Sequence, residues 1–475
     1  MSSGNSSVTA NQNASPVSRQ RRPDFEAASA FLEILDKAPS KKAVQRASLP
    51  TSSSSDESLS LLPAQKEASS MNPQVEARIS AGILRLGLEI LLELRSSGQL
   101  AQSNLVFSPY AMASTLAALL SDPTANTATA KQVARLLHVP SLDKSLGAYF
   151  DRRDRVVPRC RNDSVHSFEM AYQVFVHYNY NKVGNEHDDE DARASLSSAA
   201  RASRMPWDFK REPESSRADA DKHARCYAPS FAPDEILPPG TVTGSTMVLL
   251  LSVIDFEGTW KYPLDAKAMV QGFFYESPCD PSTVDTIRQT GRFRVFDATK
   301  NLVAMVVEVP YQGPKGTFSL HTKDKTPQIA LVLFIPTVMD GLEECERRLN
   351  LTNVSEALSS LREMDDVELT LPLFRLKQVI DLKETLPSLG FEAWYTDQLP
   401  PLQDSGPHAV SAAIHASAFR VCTKSGAAQA TKTTSPKGRA AAGCRYFVDR
   451  PFFFVVTSSD PDVMLLLGSV KSIHW

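Results

Sequence analysis

Five arginines crowd residues 151–161 (DRRDRVVPRCR): Arg152, Arg153, Arg155, Arg159 and Arg161. Clustered guanidinium groups grip sulfate or phosphate bidentately, which makes this run a candidate polyanion site; the default for a run of charge is a solvated loop. Residues 186–191 (EHDDED) supply five carboxylates, but lack the glycine and the alternating ligand spacing of a calcium loop. The six cysteines, Cys160, Cys226, Cys279, Cys345, Cys422 and Cys444, contain no C-x-x-C and have no histidine at metal spacing. They read as free or buried thiols, with a Cys422–Cys444 bridge across one exposed segment as the exception. Hydrolase, zinc-protease, phosphate-loop and dinucleotide signatures are all absent. The nine histidines do not cluster, and His415, in an apolar stretch, reads as a hydrogen-bonded core histidine rather than a general base. Neither an enzyme nor a bound metal or cofactor is expected.

The segment with most to offer lies near the C-terminus. An apolar strand-like piece, VSAAIHASAFRV, leads into residues 423–443, which hold Ala, Thr, Ser, Lys and Gly and no large apolar side chain. About twenty such residues exceed a normal connection, and an exposed loop of this kind is open to proteases. Yet residues 427–435 (AAQATKTTS) are small and β-tolerant, so they suit a strand that enters between two existing strands.

The elements around this segment can be read from periodicity. Val75, Ile79, Ile83, Leu86, Ile90 and Leu94 repeat at three and four and predict a helix from about Pro73, stopped by Ser96-Ser97-Gly98. A second helix follows Ser108-Pro109, and a third runs from Ala130 to Leu137. Residues 247–256 (MVLLLSVIDF) are apolar almost throughout, as a strand buried on both faces would be. Further strands are predicted at 303–309, 329–335, 367–373, 452–457 and 463–467. Helices come first and strands later without strict alternation, which is α+β order.

Residues 1–72 form a Ser-rich extension that cannot bury enough apolar surface to fold, apart from an amphipathic stripe at Phe25, Ala28, Phe31, Leu32 and Leu35. The folded domain is expected over 73–475. With 51 Lys and Arg against 54 Asp and Glu, the net charge is -3. No global field draws the chain to nucleic acid or to an anionic membrane, and no apolar run reaches the roughly 18 residues of a membrane span. The first residues lack the apolar core of a secretory signal, so the N-x-S/T patterns at Asn5, Asn13, Asn162, Asn350 and Asn353 matter only on a secretory route.

Several short motifs, in order, carry a resemblance. Asn104-Leu105-Val106-Phe107-Ser108-Pro109-Tyr110 resembles the N-x-x-F-S-P segment of the serpins. Residues 251–260 (LSVIDFEGTW) resemble their L-x-N-A-x-x-F-x-G-x-W strand, with Trp260 on the family tryptophan. Leu237-Pro238-Pro239-Gly240, Glu308-Val309-Pro310-Tyr311, Asp449-Arg450-Pro451-Phe452-Phe453-Phe454 and Leu466-Leu467-Gly468-Ser469-Val470 resemble four further signatures. Each is weak alone. Together, over about residues 73–472, they identify the chain as similar to a serpin.

The resemblance implies an α+β serpin fold, with helices packed around three β-sheets and a reactive-centre loop at about 424–445. It implies a suicide inhibitor of serine proteases. A protease acylated at the bait bond is trapped when the cleaved loop inserts into the central sheet. The hinge maps to Gly426, Ala427, Ala428, Gln429, Ala430 and Thr431, and the bait bond to Ala440–Ala441, with Arg439 as the alternative. Ala440 suits an elastase-like protease and Arg439 a trypsin-like one; a subtilisin-like enzyme is a third option. Residues governing sheet opening map to Ser108, Ser252, Trp260 and His415. Partners would be the target protease, in a covalent acyl complex, and a sulfated polyanion; the chain would act as a monomer without nucleic acid or membrane. The family expectation is an extracellular protein, while this N-terminus argues for cytoplasm or unconventional export. The sequence departs from the pattern at Lys424-Ser425 before the hinge glycine, at Ser252 and Ala111, and His415 sits one residue further from Gly426 than expected. On a strand, Ala427, Gln429, Thr431 and Thr433 would share the buried face, and a buried amide without partners costs about 1–3 kcal/mol. Pro436 would remove one ladder hydrogen bond. A non-inhibitory binding, storage or chaperone protein on the same fold therefore stays open beside the inhibitor.

Overall fold

The computed structural model describes residues 72–98, 100, 102–120, 127–139, 146, 149–150, 166–177, 204–207, 209–246, 248–262, 269–312, 328–391, 410–423, 444–459 and 463–473. All lie in the second of two compact units, Ala68–Trp475, the first being Met1–Glu67. The hinge, the bait bond, the arginine run at 151–161 and the acidic run at 186–191 fall outside the described residues.

Helix α1 (Pro73–Ser96) opens where the periodicity places it. Asn72 caps it by accepting a hydrogen bond from Gln74 N at 3.0 Å, and Pro73 takes the first position, where no N–H is needed. Ile79, Ile83, Leu86, Ile90 and Leu94 are buried. Strand β1 (Leu105–Phe107) leads into α2 (Pro109–Leu120), and α3 (Thr127–Leu136) follows. Next come β2 (His166–His177), β3 (Arg204–Trp207), α4 (Pro213–Tyr227), β4 (Val248–Gly258), β5 (Met269–Ser277) and β6 (Asp280–Ala298). After the single turn α5 (Thr299–Leu302) come β7 (Ala304–Pro310), β8 (Gln328–Pro336), α6 (Leu342–Arg348) and α7 (Leu351–Ser360). The chain closes with β9 (Arg362–Pro372), β10 (Phe374–Asp381), the short α8 (Thr385–Ser388), β11 (Val410–Val421), β12 (Arg445–Phe447), β13 (Phe452–Ser459) and β14 (Val463–Val470).

Two hydrogen-bonded sheets result among the described residues. The nine-stranded one runs β1-β14-β13-β8-β7-β6-β9-β12, with β5 also on β6; the five-stranded one runs β10-β11-β4-β2-β3. The expectation was three sheets. Strand β6 is long enough, at 19 residues, to carry two of them on one hydrogen-bonded path, changing register between Gly291 and Phe293 where it pairs with β9.

One core fills the space between the large sheet, α1, α2 and one face of the small sheet; a second lies under α4 on the other face. Strand β4 feeds both. Leu250, Ile254 and Phe256 point into the first, and Leu249, Leu251 and Val253 into the second. That is why its sequence is apolar throughout. Closure of the large sheet depends on Gly468, whose added Cβ would lie 2.1 Å from Leu105 O across the β1–β14 ladder.

Asn104 ties this edge to the end of the chain. Its Oδ1 accepts from Lys471 N at 2.6 Å and Ser472 N at 3.0 Å, and its Nδ2 donates to Ser472 O at 2.7 Å. At about 1 kcal/mol net for each hydrogen bond, Asn104→Ala should destabilise the protein by about 2–3 kcal/mol, read from the midpoint of urea unfolding. A loss under about 0.5 kcal/mol, the scatter of neutral surface substitutions, would show that the bonds do not contribute.

Candidate functional site

The feature that stands out is the seam between β4 and β11. These central strands pair in parallel, from Val410↔Val248 to Arg420↔Glu257, with one register shift between Val410 and Ala412. A chain that turned back after Val421 would run antiparallel to β11, and therefore antiparallel to β4 as well. Side chains on β11 are small here: Ala412, Ala413, Ala416, Ser417 and Ala418 are all buried, and small groups interlock little across a seam. Behind it, Leu86 and Ile90 of α1, Met112 and Leu116 of α2, and Ala413 leave a cavity about large enough for one water.

The middle of the seam is held by His415, which is fully buried. Its Nε2 accepts from the backbone N–H of Ser108 at 2.9 Å, so the ring proton sits on Nδ1, 2.7 Å from Ser252 Oγ across the seam. Burial alone pushes the imidazole down to about 3. Ser108 is positioned by its own role as N-cap of α2: its Oγ accepts from Ala111 N at 3.0 Å and donates to Leu465 O at 2.6 Å. The Ser-Pro dipeptide thus starts the helix and presents the N–H that fixes the histidine. Ser417, one turn of the strand pleat beyond His415, donates to Val106 O at 2.6 Å. Strand β11 is therefore fastened behind to β1 and the start of α2, and across the seam the His415–Ser252 side-chain contact adds to the backbone ladder with β4.

At the end where the chain leaves β11, Trp260 Nε1 donates to Cys422 O at 2.8 Å. The indole is buried and stacks on Tyr311 with ring centres 4.6 Å apart and planes 16° from parallel. Gly258 allows this stack, because an added Cβ would lie 2.3 Å from Tyr311 Cδ1. Burial, and secondarily Cys422, push the Tyr311 phenol well above its usual range. Two further contacts cross the seam here. Cys422 Sγ donates to Glu257 Oε1 at 3.2 Å, and Arg420 Nη1 lies 3.5 Å from Glu257 Oε2.

Ser108, Ser252 and His415 are thus brought into one hydrogen-bonded group, and Trp260 lies apart at the end of the same seam. The reading of His415 as a satisfied core residue holds. The Cys422–Cys444 bridge does not form: neither sulfur is in a disulfide, nor are those of Cys226, Cys279 and Cys345, and Cys422 donates its S–H to Glu257. Among the described residues no group of His, Cys, Asp and Glu could hold a metal ion, and no helix is long and apolar enough to cross a membrane. Sequence reasoning missed Ser417 and Glu257. It also missed Asp255, although a carboxylate inside an apolar strand is itself a signal.

The family pattern of the serpins (serine protease inhibitors) matches residues 82–473. The chain is similar to Ipis-1 of Ixodes persulcatus, at 27% identity over 404 residues, covering 84% of this chain and 100% of that one. It is similar to the leukocyte elastase inhibitor of Sus scrofa at 25% over 400 residues, covering 83% and 99%. The solved structure of uncleaved ovalbumin superposes with a TM-score of 0.67 at 19% identity, covering 83% of this chain and 99% of that one. With its ordered motifs, its two sheets and this match over most of its length, the chain belongs to the serpin family.

Proposed function

We propose that the protein is a suicide inhibitor of serine proteases that uses the β4–β11 seam as the acceptor for its own cleaved loop. The carrying observation is the parallel pairing of β4 and β11, directly below the point where the chain enters residues 424–443. An entering strand exchanges one parallel ladder for two antiparallel ones, the better-paired kind. The protease serine attacks the carbonyl carbon of the bait residue, an ester forms, and the peptide bond breaks with the amine leaving on the next residue. The segment from Gly426 to the bait residue is then free at one end. It enters the seam from the Trp260 end, carrying the acylated protease with it before water can cleave the ester.

Ala440 as bait residue fits the small primary pocket of an elastase-like enzyme, and Arg439 the acidic pocket of a trypsin-like one. The leukocyte elastase inhibitor among the relatives favours the first. The binding-protein reading rests on Gln429, which would be buried in the inserted strand. The test is to mix the protein with elastase, trypsin and subtilisin and to examine the products on denaturing gels and by mass spectrometry. A detergent-stable complex is expected, with a released fragment beginning at Ala441, or at Ala440 if Arg439 is the bait. Clean cleavage with no complex from any of the three would reject the inhibitor.

A further inference from the structure

The segment after α4 crosses the seam on the face opposite His415, and one residue is tied to both sides of it. Ser230 lies in the short turn Pro229–Phe231. Its N–H donates to Asp255 Oδ2 at 2.8 Å and its Oγ to Asp255 Oδ1 at 2.9 Å; Asp255 belongs to β4. Its carbonyl accepts from Arg375 Nη2, and Arg375 belongs to β10. Lys377, also on β10, binds Asp234 at 3.0 Å and lies over the Phe231 ring. Strand β10 is bonded to β11 along Phe374↔Val421 to Asp381↔Ile414, so β10 and β11 lie on one side of the seam and β4 on the other.

Inserting a strand widens the distance from β4 to β11 by one strand spacing, about 4.8 Å. The N–H and the carbonyl of a single residue cannot keep partners that move apart by that much. The far end of the segment returns to α4, where buried Asp221 accepts from Ile236 N at 2.7 Å and from Leu237 N at 2.9 Å. The contact lies near the entry end. Asp255 pairs with Ala418, three positions below Val421 where β11 ends, and Ala418 pairs with Lys377.

We infer that Ser230, with Asp255 and Arg375, is a strap across the insertion seam that must break early in loop entry and so sets the partition between trapping and release of the protease. These are positioning residues; none touches the bait bond. The inference rests on the insertion reading above. A strap has two legs in series, so cutting either frees the seam and cutting both adds nothing. Asp255→Ala cuts the β4 leg. Arg375→Met with Lys377→Met cuts the β10 leg; Arg375 is exposed and Lys377 half-buried, so this variant keeps the fold if Asp255→Ala does not.

The experiment measures how fast a synthetic peptide with the sequence of residues 426–439 enters the uncut full-length protein, read as the growth of a thermally stabilised population, alongside the number of inhibitor molecules consumed per protease trapped. Each leg variant should take up peptide at least about tenfold faster, the lower end of what a single charge-assisted hydrogen bond is worth, and consume fewer molecules per protease. The combined variant should be no faster than the faster leg variant. Unchanged uptake, or effects that multiply in the combined variant, would overturn the strap. If no protease is trapped while peptide uptake follows this pattern, the inhibitor reading fails and the strap stands.

Discussion

In the proposed mechanism, Thr431→Arg should turn an inhibitor into a substrate. In an inserted strand Ala427, Gln429, Thr431 and Thr433 share one face, the one proposed to meet the larger core that Ile254 and Phe256 of β4 and Ala413 and Phe419 of β11 enter. The introduced guanidinium would enter that interior without a partner. An uncompensated buried charge costs about 3–5 kcal/mol. Placed on the insertion barrier, even the lower figure slows entry by about two orders of magnitude, while acylation at Ala440 or Arg439, eight or nine residues away, proceeds as before. Covalent complex on a denaturing gel should fall to traces, and cleavage should continue at the wild-type rate. Lys432→Glu, on the opposite parity, is the control: Lys432 already carries a charge on the face proposed to meet solvent, so complex yield should hold. Full complex formation by Thr431→Arg would mean that this face is not buried, and the insertion register would be wrong.

Native stability should fall as the pH drops below about 6.5, and His415 should be the main cause. In the native state the imidazole is held neutral, since Nε2 accepts from Ser108 N and burial pushes it down to about 3. Once β4 and β11 separate or the chain unfolds, the ring is hydrated and titrates near 6.5. The folded value lies below the unfolded one, so the stabilisation is complete above about pH 6.5 and is lost progressively down to about pH 3. The loss approaches about 1.4 kcal/mol for each pH unit inside that window. Urea unfolding at pH 7.5, 5.5 and 4.5 on the wild type and on His415→Gln gives the comparison. The substitution lowers stability at every pH, and the slope is what matters: the wild type should lose about 2–3 kcal/mol more than the variant between pH 7.5 and 4.5. Parallel curves would mean that His415 carries a proton in the native state, which the Ser108 N–H does not allow.

What could be read from the residues follows from how each element is buried. Strand β4 was legible because both faces are apolar, and α1 because its buried positions repeat at three and four. Helix α4 was not. Its buried residues are Ser216, Arg217, Ala220, Asp221 and Ala224, so it shows no apolar stripe. Small alanines packed on β4 hold it, as do side-chain bonds such as Arg217 to the Leu237 carbonyl. Strand β6 was hidden by a register change and by mixed exposure along its 19 residues. At the seam, the types of His415, Ser252 and Ser108 were visible, but their meeting was not. His415 and Ser252 are 163 positions apart, and only the parallel register of β4 and β11 sets them opposite each other. Ser230 gave no signal at all, since a serine in a turn has no period.

The central claim is that cleavage lets the loop become a strand between β4 and β11. It is tested most directly by melting the protein before and after a single cut within residues 424–443. A strand about as long as β11, 12 residues, would gain on the order of 12 backbone hydrogen bonds net at about 1 kcal/mol each. With about 1.2 °C for each kcal/mol in a folded unit of about 400 residues, the cut protein should melt about 15 °C higher than the intact one. A cut protein that melts at or below the intact one would show that the loop stays outside the sheet. That result would contradict the trapping mechanism and leave the seam as ordinary core.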